Sequence, residues 1–174
     1  LPLVESGTSL KLNPLLLSNA IKSTLFASST DDAKQLLTGV NLTFDGYGIE
    51  SAATDGHRLA QVKLKLPEGA DGIPSIIIPR KTVNELRKLL EETDGDILVK
   101  VSKNKIKFIV NNCILTSKLI DGTFPDYQRV IPKENKNKLE VLTKDFKDAV
   151  DRVSTISLEK TRAVKLEINN NSLI

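Results

Sequence analysis

The chain has 174 residues, 40% of them hydrophobic and 27% charged, with a formal net charge of +3. That length and balance suit a soluble globular protein with a sizeable core and exclude a disordered or fibrous chain. No apolar run approaches the ~20 residues that span a bilayer, nothing reads as a signal peptide, and the mild positive charge permits contact with a polyanion without demanding it.

Residues 1–8 show no period and carry a Pro and a Gly, so they read as a linker. Ser9–Leu12 is a short strand, and Asn13-Pro14 is a helix start, Asn as N-cap and Pro at the first helical position. Leu17, Ile21 and Leu25 recur at helical spacing and form an apolar stripe as far as Ala27. Three alternating strands follow: Val40, Leu42 and Phe44 on one face, Tyr47 to Ala53 after an Asp45-Gly46 turn, then Ala60, Val62, Leu64 and Leu66. The last two are joined by Thr54-Asp55-Gly56-His57-Arg58-Leu59, an exposed loop in which Gly56 takes positive φ and Asp55 bonds nearby backbone. Pro67 to Pro74 is a connector.

The pattern then repeats. Ser75–Ile78 is a buried strand, Pro79 stands at a helix start, and Val83, Leu86 and Leu90 form the next stripe. Ile97/Val99/Val101, Ile106/Phe108/Val110 and Cys113/Leu115 supply three more strands, with turns at Ser102–Asn104 and Asn111-Asn112. After a loop containing Phe124, Pro125 and Tyr127 comes a third round. Leu139–Leu142 is its strand, Thr143 its N-cap, and Phe146, Ala149, Val150 and Val153 its stripe. Val164, Leu166 and Ile168 make a strand, Asn169–Asn171 a turn, and Ser172–Ile174 opens another strand. Asn13, Ile78 and Thr143 stand 65 residues apart in turn, which predicts an internally repeated α+β architecture of strand–helix–three-strand units. Two units make one domain and the third begins another. A half-unit ending there would leave an unpaired edge, so Ile174 is expected to fall short of the natural end.

The one cysteine has no internal disulfide partner, which suits a reducing cytoplasm. The alternation Cys113, Leu115, Ser117, Leu119 predicts a packed core thiol. Three kinds of function stay open on residues alone. Asp55 and His57, two apart, would suit acid–base work in a hydrolytic enzyme. No nucleophile elbow, phosphate-cradling glycine loop or Cys-x-x-Cys accompanies them, and a single His leaves a metal only carboxylates, so neither metal nor cofactor is expected. On the second helix Lys81, Asn84 and Lys88 fall opposite the apolar stripe, flanked by Arg80 and Arg87 against the single Glu85. Such a face suits a DNA backbone, leaving a sequence-reading DNA-binding protein as another possibility. The third reading is recognition of protein segments by the loop Thr54, Gly56, His57, Arg58, Leu59 together with Phe124–Pro132, at a junction between domains.

The motifs Thr-Asp-Gly-His-Arg-Leu-Ala at 54–60, Ile-Pro-Arg-Lys at 78–81 and Thr-Ser-Lys-Leu-Ile-Asp-Gly-Thr-Phe-Pro-Asp-Tyr-Gln-Arg-Val-Ile-Pro at 116–132 together resemble the bacterial replicative sliding clamp, the DNA polymerase III beta subunit. The resemblance covers essentially the whole chain. It implies the DNA-clamp fold, helices on one face of antiparallel sheets, with 1–8 an interdomain linker, 9–131 a complete clamp domain (the family's second) and 132–174 the truncated first half of the third. It also implies a non-catalytic processivity factor in the cytoplasm, a head-to-tail homodimeric ring around duplex DNA that slides without reading bases. Lys81, Lys88, Arg80 and, more weakly, Lys22 would face the DNA. Replicative polymerase, clamp loader and repair proteins would dock short motifs of the Gln-Leu-x-Leu-Phe kind in a groove. Leu37, Thr54, Leu59, Pro125 and Val130 would form its apolar part, with Gly56, His57, Arg58 and Arg129 around it. Leu36 departs from the pattern, standing where some members carry an aromatic.

Overall fold

A computed structural model of the chain describes residues 7–45, 48–65, 70, 72–156, 163–169 and 172–174. It divides into two units, Leu1–Gln128 and Arg129–Ile174. In the first, strand β1 (Thr8–Leu12), helix α1 (Pro14–Thr24) and strands β2 (Gly39–Asp45), β3 (Gly48–Thr54) and β4 (Leu59–Lys65) form one strand–helix–three-strand run. Strand β5 (Ile76–Pro79), helix α2 (Arg80–Glu91) and strands β6 (Ile97–Val101), β7 (Lys105–Val110) and β8 (Cys113–Lys118) form the second.

Local chemistry starts each helix. Asn13 Oδ1 accepts from the backbone N–H groups of Leu15 at 2.9 Å and Leu16 at 3.2 Å, satisfying two donors that the first turn leaves open. Pro79 caps α2 with extended backbone and no side-chain bond. The expected stripes are buried: Leu17 and Ile21 on α1, Leu25 on the 3-10 turn that follows it, and Val83, Leu86 and Leu90 on α2. They meet Leu10, Val40, Ile49, Val99, Ile106 and Phe108 from both sheets in one core, each large side chain contributing about 1.5–3 kcal/mol of burial.

The sheets are antiparallel, in the orders β1-β6-β7-β8 and β4-β3-β2-β5. Each half therefore gives its opening strand to the other half's three-strand meander. Leu10 of β1 lies opposite Val99 of β6, and Val40 of β2 opposite Ile78 of β5. Beyond β8 the chain crosses to the second sheet, where the Ile120 N–H donates to Ile77 O at 2.9 Å.

Several expectations give way here. Cys113 is exposed, because it opens edge strand β8 beside the Asn111-Asn112 turn, where its alternation continues but the helices do not cover it. Ile78 lies within β5, so the first helical residues are Pro14, Arg80 and Thr143, and the constant spacing of 65 does not survive. In the second unit, residues 139–142 are irregular rather than a strand. Helix α3 (Thr143–Ser154) begins at Thr143, with Leu142 as a cap that makes no side-chain bond. Among the described residues of this unit, only Ile168–Asn169 (β9) and Ser172–Leu173 (β10) pair, extended by reciprocal Glu167–Ile174 backbone bonds, so Val164 and Leu166 precede the strand. Asn170 and Asn171 of the expected turn, Gly46 and Tyr47, Leu66, half of the Pro67–Pro74 connector and most of 1–8 lie outside the described residues.

Candidate functional site

The loop between β3 and β4 is built by its own side chains. Asp55 Oδ1 accepts from the backbone N–H of His57 at 2.9 Å and of Arg58 at 3.0 Å, while Oδ2 takes the Arg58 Nε–H at 3.1 Å. Thr54 Oγ1 donates to Arg58 O at 2.7 Å and accepts from the Gly56 N–H at 3.1 Å. Gly56 has φ +92° with nothing near its missing Cβ, the left-handed conformation that the Asp-Gly pair predicts. The His57 N–H bond holds the Asp55 carboxyl down at about 2 against slight desolvation, helped by the Arg58 backbone and guanidinium. Asp55 thus addresses the main chain of His57, and the imidazole has no hydrogen bond or ion pair among the described residues. The pair is a turn clamp, without the base-to-imidazole contact that acid–base work would use.

Leu59 at the end of this turn is half-buried, as is Leu37 ahead of β2, and His57 and Arg58 are exposed. Phe26, which sequence reasoning missed, is 55% exposed with its ring 5.7 Å from the Arg58 guanidinium carbon. The signal was an aromatic breaking the α1 stripe next to Leu25, but only the fold brings it to Arg58. Pro125 is exposed on the same unit; Arg129 and Val130 are exposed on the second unit.

A second polar feature was also missed. Glu50 points from the outer face of β3 and is 7% exposed. Its carboxylate accepts from the Tyr127 hydroxyl, from Gln128 Nε2 at 3.0 Å and from Lys63 Nζ at 3.2 Å. Burial raises the carboxyl's pKa, but hydrogen bonds from Tyr127, Gln61 and Lys63 outweigh it, so Glu50 titrates below the ordinary range. Burial and the neighbouring carboxylate push the Tyr127 hydroxyl well above its ordinary value. Phe124, 9% exposed, packs edge-on to the Tyr127 ring at 5.9 Å. Beside this cluster lies an open cavity of about 360 Å³, lined by Asn41, Thr43, Ser75, Glu50, Phe124 and Tyr127 among others.

On α2, Lys81 is exposed with no ion pair among the described residues, and Lys88 bonds Glu85 at 2.9 Å. Arg80 is half-buried, donating from Nη1 to Ser28 Oγ at 2.7 Å and Ser28 O at 3.1 Å, which ties the helix start to the turn after α1. Lys22 on α1 pairs with Glu91 of α2 at 3.2 Å. Among the described residues no cluster of three or more His, Cys, Asp or Glu could hold a metal, and no helix is long and apolar enough to cross a membrane.

Comparison with known proteins agrees with this scaffold. Residues 11–126 match the DNA polymerase III beta subunit, central domain, and residues 128–174 match the C-terminal domain of the same subunit. The beta sliding clamp of Caulobacter vibrioides is 45% identical over 152 residues, covering 85% of this chain and 41% of that protein. The Rickettsia bellii beta sliding clamp is 38% identical over 98% of this chain and 46% of its own length. Among solved structures, the Bartonella birtlesii DnaN sliding clamp bound to griselimycin superposes with a TM-score of 0.92 at 47% identity, over 99% of this chain and 48% of that one. The Bacillus subtilis clamp does so at 0.86 and 34%, over 92% and 42%. The chain spans a little under half the length of these relatives.

Proposed function

This chain belongs to the DNA polymerase III beta subunit family, the bacterial sliding clamps, and we propose that it acts in DNA replication as a non-catalytic processivity factor. In this reading residues 1–8 are a linker, 9–131 the second clamp domain and 132–174 belong to the third. The protein closes with a second copy, head to tail, around duplex DNA in the cytoplasm. Polymerase, clamp loader and repair proteins dock short linear motifs on Leu37, Thr54, Gly56, His57, Arg58, Leu59 and Pro125 of the first unit, and Arg129 and Val130 of the second.

The carrying observation is the Thr54–Leu59 loop. The Asp55 and Thr54 side chains bond inside it, so His57 and Arg58 are exposed, beside a half-buried Leu59, on a preformed turn. Preorganisation of this kind lowers the ordering cost of taking up a peptide. Each large apolar anchor buried contributes about 1.5–3 kcal/mol, so two anchors give an exchangeable contact, as partners that take turns require.

The helix face supports a weak, sliding contact with phosphates. Lys22 and Lys88 already pair with Glu91 and Glu85, so a phosphate must displace a carboxylate to reach them, and of these three lysines Lys81 has no ion pair among the described residues. Arg80, held by Ser28, contributes chiefly by fixing the helix that carries them. The test is fluorescence anisotropy with a labelled Gln-Leu-x-Leu-Phe peptide. Leu59→Asp should weaken binding by about tenfold or more. Equal affinity for wild type and variant would refute the assignment.

A further inference from the structure

We infer that Glu50 is a positioning residue for partner docking, the anchor that fixes the chain where it leaves the first unit. The inference rests on the proposed docking role of Pro125, Arg129 and Val130 and adds a residue from a different strand, outside that set.

The segment from Gly122 to Gln128 lies on the outer face of the second sheet, lining the same cavity as Asn41, Thr43 and Ser75. Phe124 is its one buried side chain. Its neighbours Thr123, Pro125 and Asp126 are exposed, so apolar burial by itself grips the segment at one point. A second grip comes from Glu50, which takes hydrogen bonds from the consecutive residues Tyr127 and Gln128. Two bonds to one carboxylate from adjacent side chains restrict both the position and the rotation of that short 3-10 turn, Tyr127–Arg129. Gln128 closes the first unit and Arg129 opens the second, so the restraint acts where the proposed docking residues begin.

The placement of Glu50 favours this role over general stabilisation. A carboxylate on a sheet face could stay in water at no desolvation cost. This one is 7% exposed and is matched by Tyr127, Gln128 and Lys63. Lys63 supplies the charge balance from β4, and its side chain is 70% exposed, so it is a replaceable member of the cluster. In some proteins such buried, bonded polar groups fix one geometry, which is the role inferred for Glu50.

The experiment compares wild type, Glu50→Ala, Glu50→Gln and the core variant Ile106→Val in three measurements: melting temperature, amide exchange at Tyr127–Val130 and affinity for a labelled Gln-Leu-x-Leu-Phe peptide well below melting. Ile106 is buried and outside the docking set, so Ile106→Val reports general destabilisation. Glu50→Ala should speed exchange at Tyr127–Val130 and weaken peptide binding about tenfold. Glu50→Gln, which keeps a side-chain oxygen for the Tyr127 hydroxyl, should restore affinity to within about threefold of wild type. Ile106→Val should lower the melting temperature and leave affinity unchanged. Should Glu50→Ala not fold, Tyr127→Phe removes the hydroxyl, leaves the ring on Phe124, and is judged by the same readouts. Affinity equal to wild type in the Glu50→Ala or Tyr127→Phe protein overturns the inference, as does an equal loss in Ile106→Val. If wild type itself takes no peptide, the docking assignment fails, and the positioning role with it.

Discussion

The Asp55 clamp gives the sharpest quantitative expectation. Its carboxyl titrates at about 2 where 3.8 is ordinary, chiefly because it accepts the His57 N–H. A displacement of that size corresponds to about 2.5 kcal/mol by proton linkage. The side chain is 21% exposed, and solvent screening reduces the usable part to on the order of 1 kcal/mol. The folded carboxyl is more acidic than the unfolded one. Its contribution is therefore complete above about pH 4 and is lost as the pH falls through about 2. Asp55→Asn keeps one oxygen for the backbone N–H groups, removes the charge and turns an amide N–H₂ toward Arg58 Nε. Amide exchange at His57 and Arg58 at neutral pH should rise about fivefold in the variant, the factor that ~1 kcal/mol provides. In wild type, the Asp55 carboxyl carbon followed by NMR should show a midpoint near 2. A midpoint at the ordinary value, with exchange unchanged in Asp55→Asn, would refute the view that the loop is held by this carboxylate.

Four other outcomes are expected. Gly39→Ala should destabilise by about 1–3 kcal/mol in chemical denaturation, since its new methyl would sit 2.6 Å from Ile78 O and 2.7 Å from Ile77 Cγ2. Cys113 should react with a thiol reagent in the native state, and Cys113→Ser should change stability by no more than about 0.5 kcal/mol, the range for exposed positions. Lys81→Ala should lower the slope of log affinity for duplex DNA against log salt by about 0.9, one phosphate contact, without altering stability. Arg80→Ala should instead lower the melting temperature, because it frees Ser28 and the start of α2.

Local pattern determined much of this protein by itself. Asn13-Pro14 is a helix start through bonds within four residues, the two stripes are buried because a helical period puts them on one face, and Asp55-Gly56 makes its turn from its own oxygens. The loop of Thr54, Gly56, His57, Arg58 and Leu59 was legible for the same reason: the Thr54 and Asp55 side-chain bonds that shape it are short in sequence, although Lys34 also reaches the Asp55 carbonyl from 21 residues away. The tertiary structure decided what depends on partners far along the chain. Periodicity shows that β1 and β5 are strands, yet pairing β1 with β6 and β2 with β5 is chosen by which edges remain open after the hairpins close. Cys113 obeys the core alternation and is still exposed, because burial needs a covering layer as well as a face. Phe26 meets Arg58, and Glu50 meets Tyr127 and Gln128, 77 and 78 residues later, only because the chain returns across the sheet. No spacing in the sequence could announce a buried carboxylate whose partners are supplied by the fold.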